Sequence, residues 1–216
     1  TIAFNDGAMM ASADAFSVKI TGRSAHGSMP QLGISALQVA TDLANALTRL
    51  PTLEMPGDEM IILSVCRIAS GTATNIIPDS AVVEGSFRTY NRTCRARLRE
   101  RVTELSEHLA AAWGAKAEVS FPLSTAALLN DADMAHEMAG YCADIVTEIH
   151  HAPPQKGSED FSNFSEHVPC FFALLGAGSG EYGWHDPHVQ VNEDALPYGA
   201  AVLSSCAAKW LAAHKK

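Results

Sequence analysis

MIILSVCRIASGTATNIIPDSAVVEGSFRTY, residues 60 to 90, holds two strand-like runs on either side of a turn. Residues 60 to 70 and 81 to 90 are rich in branched and aromatic side chains, which suit the pleated, half-buried surface of a sheet. Gly71, Asn75 and Pro78 between them supply turn chemistry. Working outward, residues 16 to 23, FSVKITGR, alternate apolar and polar like another half-buried strand. From Ser35 to Leu50 the positions Leu37, Ala40, Leu43, Ala44, Leu47 and Leu50 recur at helical spacing, and Pro51 is expected to stop the run. On the other side Asn91 reads as the N-cap of a second amphipathic helix marked by Cys94, Leu98, Val102, Leu105, Leu109 and Trp113, with Gly114 at its C-terminus. Residues 115 to 122 alternate again. The order is βαββαβ, the ferredoxin-like split arrangement: an antiparallel sheet with two helices on one face.

From about Pro122 the character changes. A helix is expected at roughly 131 to 149, then a polar segment PPQKGSEDFSNF, a short buried strand FFALLG, a Gly-rich turn carrying WHDPH, and a helix from about Asp194 to Ala213. This last third carries little alternating surface and reads as part of an α/β domain whose remainder lies elsewhere. The opening Thr1-Ile2-Ala3-Phe4 begins in mid-pattern, so the chain is expected to be a piece of something longer.

Composition narrows the class. The 216 residues are 47% hydrophobic, enough to bury a core as one large domain or two small ones. Lys and Arg number 15 against 24 Asp and Glu, a formal charge of -9, which disfavours nucleic acid and anionic membrane partners. No stretch is apolar for long enough to span a bilayer. Cys66, Cys94, Cys142, Cys170 and Cys206 are odd in number and mostly within apolar runs, a pattern of reduced, buried thiols that points to a cytoplasmic location.

The candidate functional residues are individually ambiguous. His26, in TGRSAHGSMP, sits in a turn between strand and helix; it is either an ordinary turn residue or an imidazole presented to a ligand. Asn75, in GTATNIIPD, offers donor and acceptor beside a rigid Ile-Pro, or simply tolerates an unusual turn angle. Arg88 on a strand calls for a carboxylate partner from the protein or from a substrate. Arg92, Arg95, Arg97, Arg99 and Arg101 interleave with an apolar stripe, which suggests a solvated face or a subunit contact rather than a nucleic-acid site. Glu159 and Asp160 suit either holding a metal's ligands in place through hydrogen bonds or a helix N-terminus. In WHDPHVQVNED, Pro187 argues against a helical ligand pair, so at most one of His185 and His188 faces a given metal; His185, between Trp184 and Asp186, is the better candidate.

Together these stretches carry a resemblance. GAMMASADAFSVKITGRSAHGSMP, GTATNIIPDSAVVEGSFRTY, GSEDFS with VPCFFALLG, and WHDPHVQVNEDAL occur in the order and approximate spacing of the dinuclear-metal amidohydrolases, among them hippurate hydrolases, aminoacylases and plant auxin-conjugate hydrolases. The resemblance implies a ferredoxin-like lid, which mediates dimerisation, followed by part of an α/β metallohydrolase catalytic domain. It implies residues 1–13 as the end of a first catalytic segment and hinge, 14–124 as the lid and 125–216 as the last catalytic segment.

The same resemblance implies roles. His185 matches a metal-ligand histidine. His26 matches the lid histidine that reaches across a homodimer to stabilise the oxyanion. Asn75 and Arg88 match substrate-binding residues, Arg88 for the free carboxylate, and Glu159 and Asp160 match a motif lining the metal site. The complete enzyme would use two divalent ions, with Zn, Mn, Co and Ni not distinguished, on an N-acyl or N-aroyl amino acid. Most ligands and the general-base glutamate would lie in a segment before Thr1, so this chain alone is expected to be inactive and metal-free or weakly binding. Gln31, Ser35-Ala36, Cys170 and Gln190 depart from the family's usual residues, which leaves the substrate subgroup open. The rival readings are a non-catalytic ferredoxin-like module for dimerisation or small-ligand binding, and a catalytically dead homologue serving an active partner.

Overall fold

A computed structural model describes every residue except Ser179, Glu181, Trp184 and Lys216. The chain divides into two compact units, Met10–Leu128 with Lys156–Ser162, and Thr1–Met9 with Leu129–Gln155 and Asn163–Lys216. In chain order the elements up to the first crossing are β1 (Ile2–Phe4), β2 (Ala8–Met10), β3 (Ala13–Thr21), β4 (Ala25–His26), α1 (Ala36–Glu54), β5 (Ile61–Ser70), β6 (Ile76–Ile77), β7 (Ser80–Thr89), α2 (Arg92–Ala112), β8 (Lys116–Thr125) and β9 (Leu128–Leu129).

Within the larger unit, β3, α1, β5, β7, α2 and β8 are the expected βαββαβ series. The sheet order is β5-β7-β3-β8, with every neighbouring pair antiparallel. Alternation decides which face is buried: Phe16, Val18 and Ile20 of β3 and Ala81, Val83 and Phe87 of β7 point inward and are at most 2% exposed. They share one core with Val39, Leu43 and Leu47 of α1 and Leu98 and Val102 of α2, so both helices cover the same face. Gly85 is obligatory in that core, because a Cβ there would lie 2.2 Å from the Ser64 carbonyl oxygen and 2.4 Å from Phe16 Cζ.

The caps follow the sequence. Ser35 accepts the Gln38 amide at 3.2 Å, and Asn91 accepts the amides of Thr93 and Cys94 at 2.8 and 3.1 Å. Gly114, at φ +73°, takes the left-handed conformation past the end of α2. Pro51 does not stop α1, which runs on to Glu54. A proline so near the C-terminus forfeits little of the helical ladder, the final turn closes through the Met55 amide on the Pro51 carbonyl at 3.3 Å, and Leu50 and Met55 gain burial.

The arginines of α2 divide: Arg92 and Arg97 are exposed, as a solvated face would be, while Arg95, Arg99 and Arg101 are half-buried and tied to carboxylates. Arg95 grips the wholly buried Asp14 at 2.7 and 3.2 Å, Arg99 reaches the same carboxylate at 2.6 Å, and Ser124 donates to it at 2.9 Å. Arg101 binds Glu54 of α1 through two nitrogens, at 2.6 and 2.8 Å, and also Glu104.

The second unit adds α3 (Ala132–Cys142), β10 (Ile149–His151), β11 (Leu174–Leu175) and α5 (Leu196–Ala213), while the short α4 (Ser162–Ser165) begins at the second crossing. Here β1 is central, parallel to β10 and antiparallel to β11. Ile2, Met138, Cys142, Val146, Val202 and Cys206 form its core. The helix expected at 131 to 149 ends at Cys142; Ile145 and Val146 continue the apolar spacing from a turn, and the chain then straightens to pair with β1. No helix among the described residues is long and apolar enough to cross a membrane.

Candidate functional site

The site around His26 is built by backbone. As β3 ends, the Gly22 amide donates to the Asp79 carbonyl at 2.7 Å, and a Cβ on Gly22 would lie 2.1 Å from the Ile34 oxygen, so only glycine fits this approach. Arg23 and Ile34 then exchange amide-to-carbonyl bonds at 2.9 and 2.8 Å, closing a loop, and Arg23 Nε donates to the Leu32 carbonyl at 2.9 Å. On that loop β4 pairs antiparallel with β6, setting Ala25 opposite Ile77 and His26 opposite Ile76. The Gly27 amide donates to the Asn75 carbonyl at 2.8 Å. Two stretches far apart in sequence therefore meet as one small ribbon that carries His26 and Asn75.

His26 is exposed on this ribbon. Its Nδ1 lies 2.8 Å from Ser28 Oγ and accepts the Ser28 amide at 3.2 Å. Met29, Leu32 and Ile76, on the same loop and ribbon, are 45%, 56% and 49% exposed, an apolar margin beside the imidazole.

Arg88 is at the other end of the sheet. It stands opposite Ile62 near the end of β7, whereas the loop with His26 leaves from the Ser80 end. Eight residues of strand separate Ser80 from Arg88, roughly 26 Å at 3.3 Å per residue. Arg88 commits one guanidinium N–H to the Lys156 carbonyl at 3.1 Å, and the Ala11 amide donates to the Gly157 carbonyl at 2.8 Å, so the GSEDFS stretch belongs with this end. Glu159 is half-buried, and its Oε1 accepts the Phe161 amide at 3.3 Å, the turn-capping use that its sequence position allows; Asp160 is exposed.

His185 lies in the other unit, exposed, with φ +70°, the only described non-glycine residue in left-handed conformation. Asp186 Oδ1 accepts both the amide of His188, at 2.8 Å, and contact from its Nδ1, at 3.1 Å, so that carboxylate and that ring are occupied with each other. Trp184, expected to flank His185, lies outside the described residues. Among the described residues no three His, Cys, Asp or Glu side chains converge as a metal would require. His185 fits the part of a single ligand, and the described residues by themselves do not form a metal centre.

Sequence reasoning passed over Ser28, whose signal was its place two residues after a turn histidine. It also missed the pairing of Cys142 and Cys206, whose buried sulfurs lie 3.4 Å apart.

Comparison with known proteins fits this picture. Residues 11–114 match the family model described as the M20 peptidase dimerisation domain. The chain is 28% identical over 207 residues to the N-acetylcysteine deacetylase of Bacillus subtilis, covering 96% of this chain and 54% of that protein. It is 32% identical over 216 residues to the IAA-amino acid hydrolase ILR1-like 2 of Arabidopsis thaliana, covering 95% and 48%. A Bacillus subtilis crystal structure described as a dinuclear metal binding peptidase from the M20 family superposes with a TM-score of 0.76 at 26% identity, covering 97% of this chain and 53% of that one. The chain thus spans about half the length of the curated relatives it matches. Residues 11–114 belong to the M20 peptidase dimerisation domain family, and the chain is a homologue of M20 amidohydrolases and peptidases.

Proposed function

We propose that this chain is the lid and last catalytic segment of a homodimeric, metal-dependent amidohydrolase that cleaves N-acyl or N-aroyl amino acids, and that His26 serves the partner subunit's active site. The observation that carries the reading is that the candidate residues lie at opposite ends of the four-stranded sheet, with His26 and Asn75 on the β4-β6 ribbon beyond one end. His26 and Asn75 share a ribbon at one end, and Arg88 with the GSEDFS stretch occupies the other. Along β7 alone, Ser80 beside the His26 loop and Arg88 are roughly 26 Å apart at 3.3 Å per residue, more than a small N-acyl amino acid spans, so a site using both groups calls for two lids. A dimerisation domain supplies the second, and relatives named for N-acetylcysteine and IAA-amino acids supply the substrate class.

In this reading a divalent metal pair, when bound in the complete protein with His185 as one ligand, supplies the activated water and the polarised carbonyl. His26 donates a ring N–H to the oxygen on which charge develops, a contact worth ~3 kcal/mol of barrier. Asn75 hydrogen-bonds the substrate beside it. Arg88 retains guanidinium donors beyond the one given to Lys156 and binds the free carboxylate. Glu159 and Asp160 line the metal site.

The test uses the complete protein and hydrolysis of a panel of N-acyl amino acids. His26→Ala is expected to keep metal and dimer while turnover falls about 100-fold. His185→Ala is expected to lose metal and turnover together. Mixing the two inactive variants should restore about a quarter of wild-type activity, because half the dimers are mixed and each mixed dimer holds one intact site. Full turnover by His26→Ala, or no recovery on mixing, sinks the shared-site reading.

A further inference from the structure

We propose that Ser28 is a positioning residue that holds His26 as the Nε2–H tautomer, so that the ring offers a donor outward from the loop. A backbone N–H can only donate, and the Ser28 amide lies 3.2 Å from His26 Nδ1. Nδ1 must therefore present its lone pair. Ser28 Oγ stands 2.8 Å from the same nitrogen, and with Nδ1 unprotonated its hydroxyl is the donor of that contact. A neutral imidazole that accepts at Nδ1 carries its proton at Nε2. Turning the ring over would set a carbon against both donors and leave the amide and the hydroxyl without their acceptor.

The backbone holds these donors in place. The Met29 amide donates to the His26 carbonyl at 2.8 Å, closing a turn over residues 26 to 29 that aims the Ser28 amide back at the ring. Gly27, inside that turn, is fixed in turn by its bond to the Asn75 carbonyl. The imidazole thus has its tautomer chosen by a neighbour two residues away, and no negative charge is needed to do it. The consequence for catalysis rests on the reading of His26 as an oxyanion donor; the tautomer itself does not.

Ring nitrogen-15 NMR of the full 216-residue chain tests this, recorded at about pH 8.5, where an ordinary histidine is neutral. The spectrum of His26→Gln identifies the His26 signals by their loss. Wild type is expected to show His26 as a single Nε2–H species, Ser28→Ala to show admixture of Nδ1–H, and Ser28→Thr to restore the wild-type pattern. An Nδ1–H species in wild type overturns the proposal, and a Ser28→Ala spectrum identical to wild type overturns the part given to the hydroxyl, because that variant keeps the residue 28 amide and loses only Oγ. In the complete protein Ser28→Ala is expected to lower kcat about 10-fold with KM and dimer mass unchanged, and Ser28→Thr to recover it. If the tautomer is as stated but His26→Ala turns over normally, the catalytic reading of His26 fails while the role of Ser28 in setting the ring stands.

Discussion

The Gly27 amide donates to the Asn75 carbonyl at 2.8 Å, and a Cβ added to Gly27 would stand 3.2 Å from that same oxygen. The Gly27–Asn75 contact is therefore made by backbone alone and does not use the Asn75 side chain. It also separates structural from functional effects at this site.

Asn75→Ala leaves the ribbon's hydrogen bonds in place. Its thermal midpoint should match wild type to within about 0.5 kcal/mol of stability, whereas the complete protein should bind and turn over substrate more weakly. Gly27→Val forces branched carbon against the Asn75 backbone and should open the ribbon. Faster exchange of the amides at positions 27 and 77 in Gly27→Val, with protection retained in Asn75→Ala, is the expected pair of results.

His185 makes the opposite dissociation. Its φ of +70° costs a non-glycine residue roughly 1 kcal/mol. Glycine removes that cost along with the imidazole, so His185→Gly should be at least as stable as wild type in this chain while the complete protein loses metal by elemental analysis. A destabilised His185→Gly would mean that the ring is held by packing and not exposed for a ligand. Strain at an exposed histidine agrees with a residue kept for chemistry.

Asp14 is the centre of the larger unit's charge arrangement. It is wholly buried between Arg95 and Arg99, and no apolar residue could occupy its place without leaving two guanidiniums facing each other. Asp14→Ala should cost about 3 kcal/mol, measured by chemical denaturation. Arg99→Gln, which leaves Arg95 in place, should cost distinctly less.

The strands of the larger unit were legible because alternation is a direct consequence of a half-buried sheet: Phe16, Val18 and Ile20 are as readable in the sequence as they are in the core. Helix ends were less so. Pro51 looked like a stop, yet a proline one turn from the end forfeits little, and buried Leu50 and Met55 favour continuing. The excess length expected of α3 came from Ile145 and Val146, which keep helical spacing while lying in a turn and pack into the core from there. β1 and β10, of three residues each, carry no periodicity to read. At the site, the individual residues were visible but not their grouping. That His26 meets Asn75, and that Gly157 joins the strand end near Arg88, depends on single backbone hydrogen bonds between distant segments, which leave no pattern in side-chain type.

Arg101 joins α2 to α1 through Glu54 and also binds Glu104, and its hydrogen bonds hold both carboxyls below the usual range. A carboxyl whose folded pKa is depressed adds stability above its unfolded pKa, near 4.3, and that contribution disappears as pH falls through the folded value. The midpoint difference between wild type and Arg101→Gln should therefore be present at neutral pH and close at pH values below 4. Because these groups are solvent-screened, added salt should shrink the difference too. A difference that persists in acid would assign the arginine's contribution to packing of its alkyl stem.

The alkaline limb belongs to Cys142. Its thiol is pushed up to about 12, first by burial and then by its hydrogen bond with Cys206, at a sulfur separation of 3.4 Å between α3 and α5. The sign is set by comparison with an unfolded thiol near 8.5: the folded state disfavours the thiolate, so this contribution is full below about pH 8.5 and is lost as pH rises toward 12. Cys142→Ala should flatten part of the fall in thermal midpoint between pH 8 and 11, at a cost of about 1 kcal/mol for the space left at neutral pH. The flattening is only partial because Tyr141, held up by its bond to Glu137, and Cys94 and Cys170, raised by burial, act in the same direction. Alkylation gives an independent reading, since the thiolate is the reactive form. At about pH 8 the exposed Cys66 should be labelled quickly and Cys142 spared until the chain unfolds. Rapid labelling of Cys142 in the folded chain would show that α3 and α5 do not bury it, and the alkaline prediction would fall with that burial.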